Sequence, residues 1–300
     1  MRCLIIGATG QIGTFLRTAC ADRGLAHLGT WYRRAHHDLE PLDVRDVDSV
    51  NDLIADYQPD VTFLTTSAGC AEWAEANPAE SHEIAVDGTQ TVASAVARNG
   101  GSLVYFSSED VFGDYQTTRR EDDPVAPQSV VASQRVLAEA IVRRTLPKSH
   151  LVLRTGWIYG PDERNRGWTN QLIRQFADGE PIYAATQGVG QPTYGPDLAE
   201  AALELVRAGQ TGTLHLVGPD KHTEYSFARI AAFLFGADVD RVEECLSEDA
   251  GLVRQTRVGL DRLKLRQLLG PRAIRGVSEG LRALREATAN RSRTWARAAA

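Results

Sequence analysis

RCLIIGATGQIG, residues 2–13, decides the fold. Its apolar run, residues 2–7, reads as a buried strand, and residues 10–21 read as the helix that follows. Gly7 permits the tight turn between them, Gly10 lets the backbone approach a pyrophosphate, and Gly13 lets the helix pack close to the strand. Thr9, Gln11 and Ile12 complete the loop. The helix N-terminus offers N–H groups and a positive dipole end to phosphates. A glycine pattern between a strand and a helix is the context in which this motif means dinucleotide binding. The alternative is a glycine turn in a fold that has lost its ligand.

Outward from that loop, strands and helices alternate. Strands are expected at residues 27–32, 61–65, 102–107 and 151–155, and helices at 50–57, 81–99 and 130–144. This order implies right-handed crossovers and a parallel sheet. After Gly160 the pattern loosens. PDERNRGWTN, residues 161–170, reads as a polar loop; helices are expected at 171–177, 197–208 and 225–235, and a strand at 213–217. The fold expected is α/β: a Rossmann-type doubly wound parallel sheet in residues 1–160, with a smaller C-terminal α/β substrate lobe in 161–286. The lobe should cover the carboxyl ends of the strands, with elements free to cross between the two parts. The tail, 287–300, is rich in Arg and Ala and shows no clear apolar face.

Bulk properties narrow the function. The chain has 300 residues, 43% of them hydrophobic, which suffices for one large domain bearing a lobe. A net charge of −6 argues against nucleic acid or a membrane surface as partner. No apolar run is long enough to span a bilayer, and the first residues do not read as a signal peptide. Cys3, Cys20, Cys70 and Cys245 have no metal or redox spacing, so free thiols in a reducing cytoplasm are expected. Lys148, Lys221 and Lys264 are the only lysines, so an Arg where another protein has Lys carries little weight.

The second strand ends in Thr30-Trp31-Tyr32-Arg33-Arg34. NAD sites place a carboxylate here for the ribose 2′-hydroxyl, whereas Arg33 and Arg34 suit a 2′-phosphate. NADP is therefore the expected cofactor and NAD the alternative; two solvated arginines are the bland reading. Asp43 and Val44 are expected beside the adenine, and Thr66, Ser67 and Ala68 beside the ribose and pyrophosphate.

Several further segments carry a resemblance. They are PLDVRDVDSV (41–50), AEWAEANPAE (71–80), LVYFSSEDVFGD (103–114), LVLRTGWIYG (151–160), Gly190-Gln191-Pro192-Thr193-Tyr194 followed by Asp197-Leu198-Ala199, and Thr213-Leu-His215-Leu with Phe227-Ala228. In this order, over nearly the whole chain, they resemble the dTDP-4-dehydrorhamnose reductase family of extended short-chain dehydrogenases/reductases. The resemblance implies NADP(H), a nucleotide-sugar or similar keto/hydroxy substrate, and a pocket lined by Trp168, Asn170, Gln191, Pro192, Thr193 and Tyr194.

The same resemblance exposes a departure. The family's catalytic helix reads P-x-N-x-Y-G-x-x-K-x-x-(G/A)-E, and this chain reads Pro127-Gln-Ser-Val-Val131-Ala-Ser-Gln-Arg135-Val-Leu-Ala138-Glu139. Tyrosine becomes Val131 and lysine becomes Arg135; the helix asparagine expected near Ala85 is absent. Ser108 keeps the place of the catalytic Ser or Thr. A carbonyl accepting hydride needs a proton donor, which tyrosine supplies, while lysine lowers its pKa and holds the nicotinamide ribose. Arg135 can hold the ribose, but Val131 donates nothing. Glu109 and Asp110, resembling the acidic pair of nucleotide-sugar 4,6-dehydratases, are the candidate replacements, with Tyr115 and Tyr159 behind them. Their bland readings are a capped turn and packed rings. His36 and His37 read as solvated and His215 as packed, and no metal set is expected.

Three functions stay open: an NADP(H) enzyme of bacterial sugar or specialised biosynthesis with a non-standard proton donor; a non-catalytic cofactor-binding regulatory subunit, as the related β subunit of methionine adenosyltransferase is; and a non-redox lyase, isomerase or cyclase. The expected partner is a small molecule, with a nucleotide-linked sugar as the leading class and a homodimer left open.

Overall fold

The computed structural model describes residues 1–33, 35–66, 71–113, 117–162, 164, 167–246 and 259–298, with side chains up to residue 289. The first half runs β1 (Arg2–Ile6), α1 (Gln11–Asp22), β2 (Ala26–Trp31), β3 (Glu40–Pro41), α2 (Val47–Tyr57), β4 (Val61–Leu64), α3 (Ala71–Ala76), α4 (Pro78–His82), α5 (Gly88–Asn99), β5 (Ser102–Ser108), α6 (Val130–Thr145) and β6 (His150–Thr155). The second half runs β7 (Ile158–Tyr159), α7 (Trp168–Asp178), β8 (Ile182–Ala185), β9 (Thr193–Tyr194), α8 (Gly195–Arg207), β10 (Gly212–Leu216), α9 (Glu224–Phe235), β11 (Val242–Cys245), α10 (Leu263–Leu269) and α11 (Val277–Ala298).

Seven strands form one parallel sheet in the order β10-β6-β5-β4-β1-β2-β3. Side chains alternate across a strand, so β1 feeds two cores at once. Cys3 and Ile5 join Leu16 of α1, Leu198 and Leu205 of α8 and Leu265 of α10. Leu4 and Ile6 join Ile54 of α2, Val92 of α5 and Val142 of α6. A run buried on both faces is what a central parallel strand requires. The order reverses between β1 and β4, and ligands bind in such sheets outside the carboxyl ends at that switch point.

The smaller lobe has its own core, where Tyr159, Leu172, Ile182 and Phe227 meet Leu281 and Leu284 of α11. It carries two short strand pairs, β8 with β11 and β7 with β9. The chain does not stay in the lobe: α8 and α10 pack on the main sheet, and β10 becomes its edge beside β6. The long helix expected at 81–99 is instead α4 and α5 joined by a π-helical turn at Glu83–Asp87. Next to this turn, a Cβ on Gly88 would come 2.5 Å from Val44 Cγ2. The helix therefore passes hard against the segment that follows β3. Trp168 and Asn170, expected in a loop, begin α7. Part of the tail, where no clear apolar face was expected, continues α11. Among the described residues, no helix is long and apolar enough to cross a membrane.

Candidate functional site

The glycine turn lies at the switch point. Gly7 takes φ +88°, which favours glycine, and a Cβ there would lie 2.8 Å from Thr65 Oγ1. A Cβ on Gly13 would sit 2.4 Å from Gly7 O, so only glycine lets α1 close on the turn. Gly10 precedes α1 with no side-chain cap, and no acid lies in the first helical turn. Thr9, Gln11 and Ile12 complete this stretch. Uncapped N–H groups at the positive helix end suit a pyrophosphate. Thr66 follows β4, its N 3.2 Å from that same position on Gly7. Ser67 and Ala68 lie outside the described residues. Arg164, in a polar loop without a motif, was not expected here; its Nη1 donates to Thr9 O at 3.3 Å.

Beyond β2, the structure gathers an aromatic and ionic cluster. Arg45 holds Asp43 through Nε, at 3.0 and 3.1 Å, and Nη2, at 2.7 Å. These bonds hold the Asp43 carboxyl below its ordinary range. Arg45 also donates to the Tyr32 hydroxyl and lies 5.4 Å from the Tyr32 ring centroid. Arg33 stands 5.4 Å from the Trp73 ring and pairs with Glu80 at 3.1 Å. Arg34 lies outside the described residues. Val44, between Asp43 and Arg45 in sequence, is buried against Gly88. Arg45 was not expected from the sequence; its signal is a basic residue two places after Asp43.

The wall opposite is built by β5 and α6. Ser107 Oγ donates to Glu139 Oε1 at 2.6 Å. Arg154 of β6 donates to the same carboxylate from Nε at 2.9 Å and Nη2 at 2.8 Å. Burial pushes the Glu139 carboxyl up, but Arg154, Ser107 and Arg143 together hold it below its ordinary range. At the start of α6, Ser129 caps the helix and Glu75 accepts from Val130 N at 2.7 Å. Gln134 accepts from Ser81 Oγ at 2.6 Å and donates to Pro78 O at 3.2 Å. The helix register is thus fixed from several sides.

Within that frame, Arg135 forms an ion pair with Asp110, just past the end of β5. Val131 lies one turn before Arg135 on the same helix face. Ser108 Oγ accepts from Asp110 N at 3.4 Å and stays half-buried. Glu109 is 6% exposed. A Cβ on Gly156, which follows β6, would lie 3.3 Å from Glu109 Oε2 and 2.6 Å from Gln191 O. Glu109 therefore occupies the seam between β6 and the segment leading to β9. Tyr115 lies outside the described residues. Tyr159 is not at this wall: it is buried in the lobe core, where Gly280 of α11 comes so close that a Cβ would lie 2.0 Å from the hydroxyl. Burial pushes that phenol well above its usual range.

The residues expected along the substrate pocket divide. Trp168 packs edge-on against Trp157 at 5.1 Å, and both are half-buried. Asn170 donates to Gly160 O at 3.3 Å. Gln191 donates to Gly218 O at 3.2 Å, and Thr193 Oγ1 accepts from Gly218 N at 3.0 Å. Pro192 and Tyr194 are buried, the latter under Arg275 at 4.8 Å. The Gln191 and Thr193 side chains bind the turn after β10, which fastens β9 to the main sheet.

A parallel sheet with a glycine turn at its switch point, and a serine-bearing strand end facing a pinned helix, define a Rossmann-fold protein of the extended short-chain dehydrogenase/reductase kind. Residues 1–269 match the family described as RmlD substrate binding domain. The chain belongs to that family. It is similar to dTDP-4-dehydrorhamnose reductase of Streptomyces griseus, 30% identical over 252 residues, covering 82% of this chain and 80% of that one. It is 32% identical, over 81% of its own length and 80% of the other, to a Streptomyces antibioticus protein named probable dTDP-4,6-dihydroxy-2-methyloxan-3-one 4-ketoreductase. Among solved structures, a dTDP-4-dehydrorhamnose reductase from Clostridium acetobutylicum superposes with a TM-score of 0.85 at 23% identity, over 96% of this chain and 99% of that one. One from Bacillus anthracis, in complex with NADP, gives 0.83 at 22% identity, over 94% and 98%. At such identities the structures establish the fold alone.

Proposed function

We propose that the protein is an NADPH-dependent reductase of a nucleotide-linked keto sugar, with its proton donor at the end of β5 rather than on α6. The reductase names of the Streptomyces relatives support the reaction class. The observation that carries the altered site is the Asp110–Arg135 ion pair, which joins the strand end to the helix face that holds Val131.

NADPH, when bound, supplies a hydride to the carbonyl carbon, and the oxygen takes a proton to give the alcohol and NADP+. Gly7, Gly10 and Gly13 leave room for the pyrophosphate, and Tyr32, Arg33, Asp43 and Val44 receive the adenosine end. Ser108 Oγ donates a hydrogen bond to the carbonyl oxygen. Glu109, the buried carboxyl of the segment, hands the proton to the carbonyl oxygen. Arg135 pairs with Asp110 and braces the strand end, and its remaining N–H groups would hold the nicotinamide ribose. Trp168, with Trp157, walls the sugar side. A site lacking the tyrosine is expected to be slower by about 100- to 10,000-fold than one that has it.

The test is NADPH consumption with a dTDP-4-keto-6-deoxy sugar, for wild type, Ser108→Ala, Glu109→Gln and Asp110→Asn. Turnover that falls at Ser108 and Glu109 while thermal melts hold supports the reading. Equal turnover in all four proteins rules out the β5 donor. Tight NADP binding with no turnover on any keto sugar points instead to the regulatory reading.

A further inference from the structure

The cluster beyond β2 holds a feature that the cofactor reading does not use. A single oxygen, Glu80 Oε1, lies 3.1 Å from Arg33 Nη2 and 3.9 Å from Arg45 Nη1. The two guanidinium groups come from different segments, one after β2 and one after β3, and converge on this one carboxylate of α4. Trp73 and Tyr32 flank Arg33, with ring centroids 5.4 and 5.8 Å away. Arg45 is further held by Asp43 at 2.7 Å and faces Glu83 at 3.7 Å. An anion placed between two arginines beside the ribose end of a dinucleotide groove stands where a 2′-phosphate would be received.

We propose that Glu80 is the specificity-determining residue for the cofactor, a resident carboxylate that competes with the 2′-phosphate for Arg33 and Arg45. The inference rests on the NADP reading above. In the free protein Glu80 neutralises part of the arginine charge. When the phosphate arrives, Arg33 must release Glu80, and the two anions then lie within a few ångströms of each other. NAD carries a hydroxyl at that position, so it neither displaces Glu80 nor gains from its removal. Glu80 therefore narrows the preference that the two arginines create.

The measurement is calorimetric affinity for adenosine 2′,5′-bisphosphate and for 5′-AMP, which isolate the 2′-phosphate from all chemistry. Glu80 is partly exposed and Gln keeps its shape, so Glu80→Gln should fold as wild type does, checked by thermal melt. The expected result is bisphosphate binding tightened about five- to tenfold, as a like charge removed from roughly 4 Å in water implies, with 5′-AMP unchanged. In an Arg33→Ala/Arg45→Ala background the same substitution should change neither ligand. No gain, a loss, or an equal gain for both nucleotides overturns the role of Glu80. If wild type still prefers the bisphosphate in that case, the cofactor reading stands without it; a wild type that binds neither nucleotide overturns both.

Discussion

Arg135 of α6 and Asp110, twenty-five residues earlier, are joined by an ion pair that bridges the helix and the end of β5. Oδ1 of Asp110 is buried without a hydrogen bond among the described residues, so the pair rests on the other oxygen. Arg135→Gln removes the only cation paired with Asp110 among the described residues. The expected outcome is a loss of turnover on the order of 100-fold, measured as kcat/KM with NADPH and a keto sugar. Arg135→Lys keeps the charge and should keep most of the turnover. If the glutamine variant turns over as wild type does, the pair has no part in the chemistry.

Val131 occupies a helix position whose register is secured by Ser129, Glu75 and Gln134. A tyrosine placed there inherits that register. Val131→Tyr combined with Arg135→Lys is expected to raise keto-sugar reduction by about 100-fold or more. Steady-state kinetics on the double variant decides it; a folded, NADPH-binding variant with no gain shows that the pocket has changed shape as well.

Glu139 and Arg154 are both almost fully buried, so each depends on the other. Glu139→Gln leaves a guanidinium in the interior without its counter-charge. The expected loss of stability is about 3–5 kcal/mol, read from urea denaturation. Replacing both, as Glu139→Leu with Arg154→Met, should recover much of that loss. A single variant as stable as wild type would falsify the assignment of this pair as a buried ionic tie.

His215 is fully buried against Phe112, and burial is the main cause that pushes its imidazole down to about 4, with Glu121 opposing and Arg154 assisting. The unfolded chain protonates this residue near its ordinary value of 6.5. Between those values the unfolded state binds more protons, so stability falls as pH falls from 6.5 towards 4. The loss attributable to His215 is at most about 3 kcal/mol over the window. Chemical denaturation at several pH values should show that slope in wild type and a flatter one in His215→Gln. Equal slopes would mean that other groups govern acid sensitivity.

Much of the main sheet was legible in the sequence. β1, β4, β5 and β6 are apolar runs flanked by helical patterns, and the glycine turn marked the nucleotide groove. The lobe was not, because β7, β8, β9 and β11 are two to four residues long and have no room for a period. α10 and the start of α11 were not expected, although Val277, Leu281 and Leu284 follow helical spacing and are buried. At the site, the residue types were readable and their partners were not. Arg33 meets Glu80 across 47 positions, and Glu139 meets Arg154 across 15. Tyr159 reads as a packed ring that could instead face the cofactor, and the close approach of Gly280 shows the packed place it takes.

The ties among Ser107, Glu139 and Arg154 lie two helical turns beyond Val131 and hold α6 to both neighbouring strands. They behave like a tool holder whose grip does not depend on which tool is fitted. A change at position 131 alters what the helix offers to a bound molecule without altering where it offers it. A substitution at position 131 is therefore expected to leave the fold of α6 in place, because the mounting is elsewhere.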